Sequence, residues 1–381
     1  MNLGVSEEHE ELRASVRRFL ADHAPLARVR ELMDTDDGLD RAVWDQAGQQ
    51  LGLQGLAIPE AYGGAGFTFA EQAIALEELG AALYTGPYLA SAVLAATALL
   101  SSNDEGARRD LLPSIATGET IATLAFTEDD GSWDLTASAT TAVKDGAGWR
   151  LDGHKSFVLD GAAAGLILVV AGTDAGLSLF AVESGAGESG AVEPGTGGLT
   201  RATLPALDQT RKLGRLEFAG VSGRLIGSPG DAAGVLDRTL DTAAIALAAE
   251  QLGGAQRALD MAVEYAKIRH QFGRPIGSFQ TIKHRCADLL LEVESLRSAV
   301  SYAAAAVSGS PEEIPVLASL LKAYASETYF HVAAENIQIH GGIGFTWEHD
   351  AHLYFKRAKS SELFLGDGAY HRERLATRIG L

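Results

Sequence analysis

The apolar positions in the first third of the chain have the spacing of amphipathic helices. From Ser6 onward they fall on one helical face, at Leu12, Val16, Phe19 and Leu20. Thr68 and Glu71 have the spacing of a capping box, which predicts that another helix begins there. Further helices are expected to break at Pro87 and Pro113. The pattern predicts a mainly α-helical segment that reaches about residue 118.

The pattern changes at Ile121, where short apolar runs alternate with clusters of glycine and aspartate. Such runs are typical of strands in a small β sheet or barrel. They lie at Ile121–Phe126, Ala139–Val143, Leu166–Val170 and Leu177–Val182. Residues 183–198 are rich in glycine, glutamate and serine and are expected to form an exposed loop. The β segment is predicted to end near Gly230.

Helical periodicity returns after Asp231 and holds for most of the remaining chain. Residues 231–268 contain no proline, which predicts one or two long helices. A second apolar stripe runs through Ile282, Leu289, Val293, Leu296 and Val300. Two more helices are expected at about 315–339 and 350–364, and long helices of this kind pack as a bundle.

These segments predict an α+β multidomain protein with domains at 1–119, 120–230 and 231–381. The length of 381 residues, 46% of them hydrophobic, allows two or three cores. The net charge of −19 argues against nucleic acid and anionic lipid as partners. The chain shows neither an apolar run of membrane-spanning length nor a signal-peptide pattern. Its single cysteine, Cys286, excludes an internal disulfide and favours a reducing, cytoplasmic location.

Metal and serine-hydrolase chemistry are poorly supported. The histidines form no HExxH pattern, and we regard the close pair His349 and His352 as coincidental. His331 and His340 are expected to be ordinary helix residues rather than ligands. There is also no Gly-x-Ser-x-Gly nucleophile motif. We therefore predict no bound metal.

The stretch Tyr265–Ala287 carries five Lys and Arg residues and no acid in this acidic chain. Arg269 and Arg274 lie at the break between two predicted helices, where guanidinium groups can bind phosphate oxygens. Gln271, Gln280 and two phenylalanines add amide donors and aromatic faces, which suit a heterocycle attached to a pyrophosphate. Two interpretations stay open on composition alone, a solvated basic helix end and a nucleotide cofactor site.

Two further stretches each allow two interpretations. Gly341, Gly342 and Gly344 either form a helix C-cap or let a ligand approach the backbone. They follow no strand and do not match a dinucleotide-binding glycine fingerprint, which excludes a Rossmann site. Asp367, between two glycines, is either a turn residue or a base that the preceding apolar run Leu363–Leu365 partly desolvates.

Together these stretches resemble the acyl-CoA dehydrogenase family over nearly the whole chain. The most specific likeness is the string Arg-x-Gln-Phe-Gly-x-Pro-Ile-x-x-Phe-Gln, which is met from Arg269 to Gln280. Also similar are Gly55–Glu60 with Tyr62–Gly64, Phe126–Glu128, Gly153–Lys155 before Phe157, and Gln338–Gly342. The resemblance implies an N-terminal α-helical domain, a middle β barrel and a C-terminal four-helix bundle.

The resemblance also implies a non-covalently bound FAD. By motif position, Arg269, Gln271 and Phe272 would meet the FAD of the adjacent subunit, with Phe279 nearby. The segment with Gln338, Gly341 and Gly342 would lie against its adenosine and pyrophosphate portion. Phe126, Thr127 and Phe157 would flank the isoalloxazine ring, and Ser132 is expected among the cofactor-binding residues.

In this family a carboxylate removes the α-proton of an acyl-CoA thioester while the β-hydride passes to flavin N5. The thioester carbonyl accepts hydrogen bonds from a flavin ribityl hydroxyl and from a backbone N–H beside the base. Asp367 stands where the family has its catalytic glutamate. The resemblance implies electron-transferring flavoprotein as the acceptor, and a homo-oligomer (dimer or tetramer) or an α2β2 assembly with a related chain.

Several positions depart from the family. Gly366 stands where many relatives carry tyrosine, Ala369 replaces a threonine, and Leu159 replaces a frequent threonine or serine. The alternative base position of some relatives is Ala243, and the loop Thr127–Ser132 lacks the family's proline and one residue. These departures predict a wide pocket for a bulky, branched or sterol-derived acyl group.

Two other functions stay open at this point. One is a flavin oxidase or monooxygenase on the same fold, because an aspartate base occurs in the nitroalkane-oxidising branch. The other is a non-catalytic partner subunit of a heteromeric acyl-CoA dehydrogenase. The chain has both the FAD strings and a carboxylate, which favours a catalytic role.

Overall fold

The computed structural model describes residues 6–133, 136–183 and 198–381, so nearly all of the loop predicted at 183–198 lies outside the described residues. The chain divides into two compact units. The first unit comprises Met1–Val29, Thr68–Tyr84 and Ala244–Leu381, and the second comprises Arg30–Phe67 and Thr85–Ala243.

Along the sequence, a first group of helices is followed by strands and then by a second group of helices. The α-helices are α1 (Glu7–His23), α2 (Leu26–Leu32), α3 (Arg41–Leu51), α4 (Phe69–Ala81), α5 (Ala96–Ser101), α6 (Glu105–Ala116), α7 (Ala232–Ile268), α8 (Gln280–Gly309), α9 (Ile314–His340), α10 (Ala351–Leu363) and α11 (Gly368–Arg378). A π-helix, Leu89–Ala95, precedes α5. The strands are β1 (Ala122–Ala125), β2 (Thr141–Asp145), β3 (Gly148–Leu159), β4 (Leu166–Thr173), β5 (Gly176–Glu183), β6 (Gly198–Leu204), β7 (Leu213–Ile226) and the two-residue β8 (His270–Gln271) and β9 (Arg274–Pro275).

The helices confirm most of the sequence pattern. Ser6 caps α1, and Thr68 and Glu71 form the predicted capping box at the start of α4. Residues 232–268 form one helix, and α9 and α10 lie where two more helices were predicted. The α8 stripe is buried at Leu289, Val293, Leu296 and Val300, while Ile282 is partly buried.

Glycine allows α4 and α7 to pack closely in the first unit. A side chain at Gly80 would overlap the Glu250 carbonyl, and one at Gly253 would overlap the Glu77 carbonyl. Acidic and basic side chains surround this crossing. Glu77 accepts from Arg13 over 2.7 Å, and its other oxygen accepts from Arg297 of α8. These ion pairs connect α1, α4 and α8.

The second unit contains a closed β barrel. Strands β4, β2, β3, β7 and β5 pair in that order, and β5 pairs back to β4. Strand β1 joins β4 in parallel, and β6 pairs with β7 outside the ring. The four predicted strands are confirmed as β1, β2, β4 and β5, although their ends differ by a few residues. The predicted α+β class, with helices before and after a barrel, is confirmed.

The structure corrects two details of the helical prediction. Pro113 does not break a helix, since it lies inside α6. Proline at this position removes one backbone hydrogen bond, but α6 continues to Ala116. The short helix α11 was not predicted. Asp367 was interpreted either as a turn residue or as a base, and it is the N-cap of that helix.

Candidate functional site

Asp367 lies in the connection between α10 and α11 and begins α11 as its N-cap. Its Oδ1 accepts a hydrogen bond from the Tyr370 backbone N–H over 2.8 Å. The residue is exposed, so the expectation of partial desolvation is wrong for the described chain. The capping bond holds the carboxylate at the start of α11. An exposed carboxylate on a fixed backbone can accept a proton from a bound molecule.

The backbone before Asp367 has an unusual conformation. Leu365 has a φ of 62° and Gly366 a φ of 97°, and both residues are buried. A leucine in the left-handed region costs about 1–3 kcal/mol, so its surroundings must hold it there. The space beside Gly366 is filled, because a side chain at this position would overlap the Tyr370 ring.

Two buried side chains hold this connection. Lys322 donates to the carbonyls of Gly366 and Glu362 over 2.9 and 3.1 Å. His371 Nε2 lies 2.9 Å from the Leu365 carbonyl and therefore carries the proton that makes this bond. Burial, with the nearby charge of Lys322, lowers the pKa of His371 to about 4, so the imidazole is neutral at pH 7.

Sequence reasoning missed both Lys322 and His371, although one signal was present for the lysine. Lys322 shares a helical face of α9 with Ala318, Ala325 and Tyr329, all of them buried. A lysine in an apolar stripe predicts a buried charge with specific partners. For His371 the sequence offers no comparable signal.

Most polar residues in the connection between α7 and α8 are exposed to solvent. The connection forms a small hairpin in which β8 pairs with β9, with Phe272 and Gly273 at positive φ in the turn. Phe272 is 91% exposed, and Arg269 and Gln271 are also exposed. The Arg274 guanidinium lies 4.1 Å from the centre of the Phe279 ring.

The end of α9 lies beside the end of α7. Tyr265 stacks on His340 with ring centres 4.3 Å apart, and Ile276 packs on the same buried cluster as Ile339. The segments 269–280 and 338–342 are thereby brought together within the first unit. Gln338 is exposed. In the part of the chain that the structure describes, no atom lies within 4 Å of the point where a side chain at Gly341 or Gly342 would begin.

In the second unit, the segment after β1 binds an irregular part of β3. Thr127 Oγ1 donates to the Ser156 carbonyl over 2.5 Å, and the Ser156 N–H donates back over 3.0 Å. The β3–β7 pairing shifts register between Lys155 and Val158, and Phe157 there has a φ of 57°. These bonds hold Phe157 beside Thr127 with 40% of the residue exposed.

The loop after Thr127 folds back beside Phe126 and Phe157. Phe126 is buried, and its ring centre lies 6.0 Å from that of Trp133. Ser132 donates its backbone N–H to the Asp130 carboxylate over 3.1 Å. A side chain at Gly131 would lie within 3.8 Å of the Phe157 ring. The structure therefore brings together the four barrel-domain residues predicted to bind the cofactor.

Glu128 anchors this loop to the barrel. Its carboxylate accepts from Lys155 over 2.7 Å, from the Ser138 hydroxyl over 2.7 Å and from the backbone N–H groups of Ala139 and Thr140. Lys155 is fully buried, so this carboxylate is its main compensation. Burial of Glu128 opposes its ionisation, but these hydrogen bonds outweigh burial and lower its pKa to about 2.

The depressed pKa of Glu128 predicts a specific pH dependence. The contribution of this carboxylate should be complete above its ordinary pKa of 4.5 and should be lost as the pH falls toward about 2. We expect Glu128→Gln to lower the free energy of unfolding by about 1 kcal/mol at pH 7, and by less at pH 3.5. Urea unfolding of both proteins across this range measures the difference. A constant difference at all pH values would contradict the assignment.

The described residues offer no support for a metal centre. Within 6–133, 136–183 and 198–381, no three His, Cys, Asp or Glu side chains group as metal ligands. Both His331 and His340 lie in α9, as expected. In the same ranges no helix is long and apolar enough to cross a membrane.

Comparison with known proteins identifies relatives over the whole chain. Family models described as the N-terminal, middle and C-terminal domains of acyl-CoA dehydrogenase match residues 6–119, 123–207 and 233–380. Acyl-CoA dehydrogenase IpdE2 of Mycobacterium tuberculosis is 38% identical over 98% of both chains. A solved structure described as a Tcur3481–Tcur3483 steroid ACAD variant has a TM-score of 0.85 and 33% identity, covering 99% of this chain and 98% of that one. The ChsE4–ChsE5 complex from Mycobacterium tuberculosis has a TM-score of 0.86 and 31% identity, covering 100% and 99%.

Proposed function

The chain belongs to the acyl-CoA dehydrogenase family, and we propose that it uses Asp367 as the base in the FAD-dependent α,β-dehydrogenation of a bulky acyl-CoA. The observation that carries this proposal is the position of Asp367. Its carboxylate is exposed and is held by a capping bond. It lies at the end of the connection between α10 and α11, which the buried side chains of Lys322 and His371 hold in place. The domain bounds at 119 and 230 remain a prediction.

The residues of the first unit fit an FAD. Among the described residues, nothing lies within 4 Å of the point where a side chain at Gly342 would begin, so packing within the chain does not require this glycine. Gly341 has a φ of 64°, which favours glycine by itself. Exposed Arg269, Gln271 and Gln338 supply donors for phosphate and adenine beside that open space. In the second unit, Thr127 and the exposed ring of Phe157 would contact the flavin.

The chemistry divides between the cofactor and the chain. When bound, FAD supplies the acceptor for the β-hydride. Asp367 takes the α-proton, so the proton and the hydride leave as separate species and a Cα–Cβ double bond forms. The Asp367 backbone N–H makes no hydrogen bond within the described residues, which leaves it able to donate to the thioester oxygen.

We propose a bulky, branched or sterol-derived acyl group as the substrate. The support is the similarity to a protein described as a steroid ACAD. The space that Gly366 was expected to open is filled by the Tyr370 ring, so this glycine does not widen the pocket. Steady-state assays with straight-chain and sterol-derived acyl-CoAs should show higher kcat/KM for the sterol type. A clear preference for straight chains would contradict this substrate.

We further propose an oligomer, either a homo-oligomer or an α2β2 assembly with a related chain, with electron-transferring flavoprotein as acceptor. The support for assembly is the exposure of Phe272 and Gln271, which would reach an adjacent subunit's FAD. The free cysteine Cys286 supports a reducing, cytoplasmic location.

One titration tests whether the chain binds FAD, whether it needs a partner chain and whether it oxidises an acyl-CoA. The chain, expressed alone and with a related chain, is expected to show flavin absorbance that bleaches on anaerobic addition of a sterol-derived acyl-CoA. A flavin-containing protein that no acyl-CoA bleaches would contradict the proposed dehydrogenation. Rapid peroxide formation without another acceptor would instead indicate an oxidase.

A further inference from the structure

Lys322 is a fully buried cation whose partners include the peptide that carries the proposed base. Its Nζ lies 2.9 Å from the Gly366 carbonyl, 3.1 Å from the Glu362 carbonyl and 3.0 Å from the Ser326 hydroxyl. The ammonium group thus has an acceptor for each of its three protons, as a buried charge requires. Glu362 belongs to the last turn of α10, where exposed carbonyls and the helix dipole favour a cation.

The bond to Gly366 has a direct consequence for Asp367. The Gly366 carbonyl and the Asp367 N–H are the two ends of one peptide group, so a charge that binds the carbonyl polarises the N–H. Charge-assisted bonds of this kind are roughly twice as strong as neutral ones. The Asp367 N–H makes no hydrogen bond in the described residues and is available for a ligand.

We infer that Lys322 is a positioning residue for the reaction, because its ammonium fixes the Gly366–Asp367 peptide and strengthens the Asp367 N–H as a donor to the thioester oxygen. Negative charge grows on that oxygen as the α-proton leaves, so a stronger donor stabilises the transition state more than the substrate. This inference rests on the proposed function, because the ligand that accepts the bond is the acyl-CoA.

The neighbouring peptide shows why Lys322 differs from His371. His371 binds the Leu365 carbonyl, but the N–H of that peptide belongs to Gly366 and already donates to Leu363 over 3.3 Å. His371 therefore restrains the connection without preparing a free donor. Both carbonyls are held, yet only the one bound by Lys322 belongs to a peptide with an available N–H.

The polarisation can be measured without cofactor or turnover. The sequence contains two Gly-Asp pairs, Gly230–Asp231 and Gly366–Asp367, so a full-length chain with carbonyl-labelled glycine and amide-labelled aspartate gives two inter-residue NMR signals. Lys322→Met should move the Gly366 carbonyl and Asp367 nitrogen signals upfield, with a smaller movement for Lys322→Gln. The Gly230–Asp231 signal is the internal control, and Asp367→Glu assigns the other. An unmoved Gly366–Asp367 signal in either folded variant would overturn the inference.

A bound enolate tests the consequence for chemistry. Acetoacetyl-CoA enolises to an anion that gives a long-wavelength charge-transfer band over oxidised flavin, and the pH of its appearance reports enolate stabilisation. In the flavin-loaded Lys322→Met protein this pH should rise by at least about one unit, a tenfold change. Ser326→Ala is the matched control, since it keeps the charge and should shift the pH little.

These outcomes separate the inference from the proposed function. Equal shifts for Lys322→Met and Ser326→Ala, or no shift in either, would overturn the role of the charge. If Lys322→Met does not fold, Lys322→Gln carries both measurements. A wild-type protein that never forms the band would count against the proposed function, while the NMR signals still decide whether Lys322 polarises the peptide.

Discussion

Replacement of Asp367 by asparagine should reduce kcat by about 10³-fold or more while flavin content stays unchanged. Asparagine cannot accept the α-proton, but it is as good an N-cap as aspartate. The bond from the Tyr370 N–H to the side-chain oxygen should therefore persist, and α11 should keep its start. Pre-steady-state reduction of the flavin by substrate measures the loss.

Asp367→Ala is the matched comparison for this experiment. It removes both the base and the cap, so it should lose activity similarly and also about 1 kcal/mol of stability. Full activity of Asp367→Asn in the purified assembly would exclude Asp367 as the base and would favour a non-catalytic role for this chain. Partial recovery in Asp367→Glu would indicate that the loop tolerates the extra methylene of the family's usual base.

The fold was largely predictable because its signals are local. Apolar spacing located α1, α7 and α8, and the capping box located the start of α4, since these features depend on residues within one or two turns. The closure of the barrel was not readable in the same way. It depends on pairings such as β5 with β7 and β2 with β4, which join segments that are far apart in the sequence.

The candidate site was predictable only where its residues lie in contiguous sequence motifs. The segments around Arg269 and Gln338 were found because resemblance carries over motif by motif. Lys322 and His371 lie 45 and 4 residues from Asp367, and nothing in their spacing shows that they bind the carbonyls before it. The exposure of Asp367 was also missed, because a capping role depends on a helix, α11, that was not predicted.

The Arg357–Glu250 ion pair also joins residues that are far apart in the sequence. Because it is buried, we expect the largest loss of stability when it is broken. Arg357 Nη1 lies 2.8 Å from Glu250 Oε1, joining α10 to α7, and their side chains are only 4% and 9% exposed. Arg357→Met would leave the Glu250 carboxylate buried without its guanidinium partner. We expect this to lower the free energy of unfolding by about 3–5 kcal/mol.

The double variant Arg357→Met with Glu250→Gln separates the cost of removing this guanidinium from the buried carboxylate from the cost of lost packing. Because it removes both charges, it should recover most of the stability that Arg357→Met loses. Arg109→Met, at the exposed pair with Glu105 of α6, is the surface control and should have little effect. Denaturant unfolding of the four proteins measures these differences. A double variant as unstable as Arg357→Met would show that packing of the arginine, rather than neutralisation of Glu250, holds α10 against α7.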